Sequence, residues 1–201
     1  MINVLLQSIT TEMFVGLAFC FGLVVGSFLN VVILRLPQQL YAQWKEQSEE
    51  FLSLHQSVQD TPVETILWPP SKCSECGHAI KPWQNIPLLS YLLLRGRCAN
   101  CSSSISMQYP LVELLTGTMI AVTAYHYSGQ IEVLYAVFFT LVLIALAGID
   151  AREKLLPDQI TLPLLWIGLI ANLNGFFVPL SDAVVGAIAG YLALWSVYWL
   201  F

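Results

Sequence analysis

CSEC at 73–76 and CANC at 98–101 place four cysteines as two C-x-x-C pairs, with 21 residues between the pairs. A two-residue spacer lets both thiolates of a pair reach one ion from a single turn, and two pairs complete a tetrahedral four-thiolate site. Gly77, directly after Cys76, allows the first turn to close tightly. Four thiolates fill the coordination sphere and leave no position for water. The expected role of Cys73, Cys76, Cys98 and Cys101 is therefore structural, with Zn2+ the expected ion and a rubredoxin-like iron site the alternative. Two disulfides are also open to these cysteines, and the compartment decides between the two chemistries. His78 reads as a surface residue, because the ligand set is complete without it. Cys20, inside a long apolar run, reads as a small apolar side chain.

Carboxylates are the second chemical resource. AGIDAREKLLPDQITLPLLW, residues 147–166, holds five charges between apolar runs, three of them acidic. Asp150 closes one run, where the negative end of a helix dipole favours a carboxyl that holds its proton. A pair of acids in which one is protonated and one ionised can share a proton and activate water. Asp158 precedes the next apolar run and reads equally as a helix N-cap, with Pro157 favouring a break in the chain ahead of it. Glu113, in QYPLVELL, lies just inside the start of a further run. An ionisable group at membrane depth is costly and belongs in a protein interior or a watery cleft. From the residues alone, Asp150 is open to two readings, a catalytic acid and an ordinary loop acid.

Positioning these groups falls to very apolar elements. Of the 201 residues, 57% are hydrophobic and 10% charged, with mean hydropathy +0.70; a soluble domain carries about 25% charged residues. Runs without Asp, Glu, Lys or Arg cover 13–34, 114–131, 133–149, 159–181 and 183–201, and about 20 apolar residues span a bilayer. The expected fold is an all-α polytopic membrane protein with about five transmembrane helices, the second and third joined by a tight turn around 128–130. The first twelve residues contain no Lys or Arg, which points to a first transmembrane helix rather than a secretory signal. Arg35, Lys45, Lys72, Lys81, Arg95 and Arg97 follow the first span, and Arg152 and Lys154 follow the third. Two spans separate the groups, so both lie on one side, which the positive-inside rule makes cytoplasmic. The N-terminus then faces outward. Disulfides are disfavoured in a reducing loop, which leaves the metal. Phe176 and Phe177 at one boundary, and Trp195, Tyr198 and Trp199 at the other, suit interfacial belts.

Three regions follow: 1–35, the first transmembrane helix; 36–109, a cytoplasmic zinc-binding region; and 110–201, four further transmembrane helices. Leu40, Trp44, Phe51 and Leu54 sit at helix-compatible spacings and predict an amphipathic helix over the membrane or the zinc module. DTPVE at 60–64 and WPPSK at 68–72 predict turns and extended chain. In GLVVG at 22–26 two glycines lie four apart on one helix face, where a neighbouring helix can approach closely. Asn30, near the inner boundary, needs a polar partner. No internal repeat is apparent. Membrane lipid is the expected surrounding, and no nucleic-acid partner is expected.

GSFLNVVILRLP at 26–37, the cysteine pairs with KPWQNIPLLSYLLLRGRC from 81, QYPLVELLTG at 108–117 and GIDAREKLLPD at 148–158 together closely resemble the type IV prepilin peptidases. These are membrane aspartyl peptidases that also N-methylate pilins, and the resemblance runs in order along essentially the whole chain. It implies that Asp150 is the first catalytic aspartate, that the four cysteines bind zinc in a cytoplasmic module, and that Glu113 occupies an acidic position of the family motif. Substrates would be prepilins and pseudopilins, cut at the cytoplasmic face of the bacterial inner membrane, with the N-terminus of the enzyme periplasmic. S-adenosyl-L-methionine would donate the methyl group; no Gly-rich nucleotide motif accompanies that implication.

The second aspartate of the family belongs to a G-x-G-D motif, shortly after the helix that here ends SVYWLF. No G-x-G-D occurs in the 201 residues, so the second member of the dyad is absent. Asp158 and Glu113 are retained as accessory candidates; Asp158 stands apart from the dyad in the family. The expectation is a C-terminally truncated peptidase, inactive alone. The alternative, from a different class, is a non-catalytic zinc-containing membrane protein that binds pilin precursors or assembly partners.

Overall fold

The computed structural model describes residues 2–51, 65–66 and 68–200, and of residues 2–9 the backbone alone. The helices are α1 (Ile2–Phe51), α2 (Leu89–Leu93), α3 (Gln108–His126), α4 (Glu132–Glu153), α5 (Asp158–Leu173) and α6 (Leu180–Leu200), with a 3-10 turn over Pro82–Asn85. Among the described residues there is no strand, only two isolated antiparallel bridges in the cysteine region. The all-α membrane architecture is the expected one. By length and composition α1, α4 and α6 suffice to cross a membrane, and α5 is a shorter apolar helix. The remaining apolar run became α3, whose hydropathy is lowered by Gln108, Glu113 and its threonines, of which Glu113 and Thr116 are buried against protein.

Glycines set the centre of the bundle. A Cβ on Gly22 would come within 2.8 Å of the Gly117 Cα, and one on Gly26 within 2.9 Å of the Glu113 Cα. Four residues further on, the Asn30 Nδ2 donates to the Tyr109 carbonyl at 3.1 Å. The partner numbers fall by four as those on α1 rise by four, so α1 and α3 are antiparallel and nearly in backbone contact. The close approach expected of GLVVG is realised, and Asn30 has its interhelical partner. α4 completes the centre: Ile33, fully buried, presses on Gly148, and Leu29, Ile33, Val112, Ala145 and Ile149 form one apolar cluster. α6 buries none of its residues. A helix that is apolar all round and exposed in the fold is suited to lipid.

Three boundaries differ from expectation. α1 does not stop near Arg35 but runs on through Pro37 to Phe51, so the amphipathic stretch is its continuation; Leu40 is buried while Trp44 and Phe51 are exposed. Loss of one amide at Pro37 is tolerated in a helix flanked on both sides by strong formers. Leu54 and 60–64 lie outside the described residues. The run 159–181 is not one helix: α5 ends at Leu173, and Gly175 at φ +68° reverses the chain, while the Asn172 Oδ1 accepts the Phe177 and Val178 amides at 3.2 and 3.1 Å. Asp158 is the first helical residue of α5, and Pro157, which has no polar side chain to cap with, takes the N-cap position. Asp158 still adds negative charge to the positive end of that helix.

Candidate functional site

The four Sγ atoms of Cys73, Cys76, Cys98 and Cys101 lie within 4.8 Å of one another. A tetrahedral ion with Zn–S bonds of about 2.3 Å requires S···S separations of about 3.8 Å, and Cys73 Sγ is 3.9 Å from Cys101 Sγ. The set fits a thiolate-bound ion. Among the described residues it is the one such group of His, Cys, Asp or Glu side chains; Asp150, Asp158 and Glu113 are not gathered into another. His78 is exposed and contributes its carbonyl, not its ring.

Each pair is held by the same backbone device. The Cys73 amide donates to the His78 carbonyl at 3.0 Å and the Gly77 amide to Cys73 at 2.9 Å; the Cys98 amide donates to Ser103 at 2.8 Å and the Ser102 amide to Cys98 at 3.0 Å. Bridges pair Lys72 with Ala79 and Arg97 with Ser104, and Ile80 and Ile105 close them onto Ser71 and Gly96. Both turns need a left-handed residue, Gly77 at φ +68° and Ser102 at φ +58°. Residues 71–80 and 96–105 are thus a structural repeat, where none was expected. The sequence trace of it is slight: a basic residue, the two cysteines and an isoleucine at matching offsets, KCSECGHAI and RCANCSSSI.

Polar groups around the sulfurs favour thiolates. The Cys73 thiol is held down from its usual 9.0 to about 6, first by the Cys76 amide and then by the Ser103 hydroxyl. Cys101 is also lowered, first by the Ser103 hydroxyl, which lies 3.1 Å from its sulfur. Cys76 moves up despite the His78 amide and the Asn100 side chain, because desolvation and its thiol neighbours oppose its ionisation. A cation bound to the set would take the place of the thiol protons.

Asp150 occupies the last turn of α4. Ile149 beside it is fully buried, and the Lys154 amide closes the helix on the Asp150 carbonyl at 2.9 Å, with Lys154 left-handed at φ 55°. The Asp150 side chain is half-buried and accepts no hydrogen bond from the described residues. Arg152 Nη1 donates to Gln108 Oε1 at 3.3 Å. That contact joins the last turn of α4 to the start of α3.

Glu113 is buried on α3. Its Oε2 accepts the Leu88 amide at 2.9 Å, and Ser27 of α1 faces the same carboxylate. Arg35 was read only as a topological charge. It is buried and donates to the Thr65 and Pro69 carbonyls, each at 2.8 Å, clasping the chain as it enters the cysteine module. No sequence signal separates it from an ordinary cation that follows a membrane span.

Comparison with known proteins places these features in a family. The model described as the bacterial peptidase A24 N-terminal domain matches residues 20–127, and that of the type IV leader peptidase family matches 137–201. The prepilin leader peptidase/N-methyltransferase of Pseudomonas putida is 50% identical over 94% of this chain and 65% of its own length. The protein of that name from Dichelobacter nodosus is 46% identical over 100% of this chain and 70% of its own, and that from Neisseria gonorrhoeae is 47% identical over 94% and 66%. The chain therefore spans about two thirds of these relatives. No solved structure matches.

Proposed function

With the chain a member of the bacterial type IV leader peptidase (A24) family, we propose that it forms part of a membrane aspartyl peptidase that removes prepilin and pseudopilin leaders. The same protein would methylate the new N-terminal amine from S-adenosyl-L-methionine. What supports the reading is Asp150 in the last turn of α4, a half-buried carboxylate two residues from Arg152, which donates to Gln108 at the start of α3. A substrate with a polar leader and an apolar helix presents its junction at the membrane boundary.

In this reading Asp150 is one of two carboxylates that share a proton; one acts as base toward water and the other protonates the carbonyl oxygen and then the leaving amine. The 201 residues supply Asp150 but no G-x-G-D partner, so this segment by itself is proposed not to cleave. Asp158 is exposed on α5 and Glu113 is engaged by Leu88; both are assigned structural parts. The cysteine turns, residues 71–80 and 96–105, would hold Zn2+ as a structural ion at the cytoplasmic face of the inner membrane.

The test uses a full-length protein in which these 201 residues are completed by a segment carrying the G-x-G-D aspartate, in membrane vesicles with a prepilin. Asp150→Asn should lower cleavage by about a thousandfold or more with helicity unchanged. Unaltered cleavage would remove Asp150 from the chemistry. Prepilin capture without cleavage by the unsubstituted full-length protein would instead favour the binding role.

A further inference from the structure

The Leu88 backbone is in an unusual state. Its φ of +57° and ψ of −45°, with the Leu89 amide on the Pro87 carbonyl at 2.6 Å, describe a γ-turn of the rare, strained kind. Such strain in a non-glycine residue persists only where the surroundings over-determine it. Here they do so through Glu113, which takes the Leu88 amide.

The depth of that contact is set by the helix register. Glu113 lies opposite Gly26, eight residues inside the end of the charge-free run 13–34, or about 12 Å at 1.5 Å per residue. The turn at 87–89 therefore lies at the level of the apolar part of α1, not above it. Irregular backbone at such depth is tolerated only where its polar groups are satisfied by protein. A carboxylate on a membrane helix, otherwise costly, supplies that satisfaction.

Side chains around the turn match this position. Ile86, Leu89, Leu92 and Leu93 are exposed in the fold, Leu92 and Leu93 by 71% and 81%. Lys81 stands before the segment and Arg95 and Arg97 after it, all exposed, with Lys81 over the ring of Trp83 at 5.3 Å. Apolar residues flanked by cations and a boundary tryptophan are the pattern of an element seated in a leaflet with anionic headgroups around it.

We propose that residues 86–93 form a re-entrant segment that inserts its leucine face into the acyl chains of the adjacent leaflet, pinned by the Glu113–Leu88 hydrogen bond. The cysteine module is then anchored to the membrane at two points, α3 and this segment. The inference does not depend on the peptidase reading, because it concerns depth and lipid contact alone.

The experiment places the photoreactive residue benzoylphenylalanine at Leu92, and separately at Leu93, in the full-length protein in phosphatidylethanolamine–phosphatidylglycerol nanodiscs. After irradiation, intact mass reports what was captured. Lipid-mass adducts are expected at both positions, within about threefold of the yield from Leu165 on α5, while Glu75 on the cysteine turn gives less than about a tenth of it. Yields no higher than at Glu75, or capture of polypeptide in place of lipid, would overturn the proposal. In the Leu92 background, Glu113→Ala should lower the lipid yield at least about threefold and Glu113→Gln, which keeps an acceptor oxygen, should restore it. An unchanged yield in the alanine variant, with native helicity, would remove Glu113 as the pin.

Discussion

Ser103 shows what single side chains contribute around the cysteine cluster. Its hydroxyl lies 3.1 Å from the Cys101 sulfur and 3.6 Å from that of Cys73, so it stabilises thiolate on both arms of the repeat. Ser103→Ala is expected to weaken metal affinity by about tenfold, read by competition with a chromophoric chelator. Cys73→Ser and Cys98→Ser should each reduce bound zinc from about one ion per chain to almost none, measured by elemental analysis of the purified protein. Equal losses are expected because the two turns are built alike. The cysteines were legible because ligand spacing is a local property of a turn. Arg35 and Glu113 were legible only as charges in awkward places. Their partners lie 30 and 25 residues away, in irregular chain whose path no periodicity encodes.

Between helices, glycine positions decide the fit. Gly26→Val would drive two methyl groups toward the Glu113 backbone, where neither helix can yield, and is expected to destabilise the bundle by about 3 kcal/mol. Thermal unfolding in detergent, followed by helicity, is the measurement. At Gly148→Ala the nearest atoms belong to the Ile33 side chain rather than to backbone, so a smaller loss of about 1–2 kcal/mol is expected. Ile33→Val, which removes the methyl group facing Gly148, should recover part of that loss, whereas simple additivity would show that the contact is not the cause. The α1–α3 glycine seam was legible from four-residue spacing. The Gly148 contact was not, since a lone glycine in an apolar run carries no address for its partner. Helix ends divided likewise: the break between Glu153 and Asp158 is marked by charges and a proline, but Pro37 sits in a run of helix formers and does not end α1.

For the whole molecule, the basic loops after α1 and after α4 share one side of the membrane in the proposed topology. Alkaline phosphatase fused after Ser128 should be active outside the cell, and the same enzyme fused after Lys154 inactive; the opposite result would invert the orientation. The apolar runs and cysteine spacing by themselves determined a helical membrane protein with a four-thiolate module, because lipid immersion and metal ligation are each set by residue type over short windows. The family motifs are likewise written in the chain. Only the tertiary structure decided that two dissimilar cysteine segments form one repeated turn, that Arg35 clasps the chain entering the module, and that Glu113 holds the Leu88 amide. Those outcomes depend on which distant backbone groups are left without partners once the helices pack, and helix packing is a property of the assembled molecule.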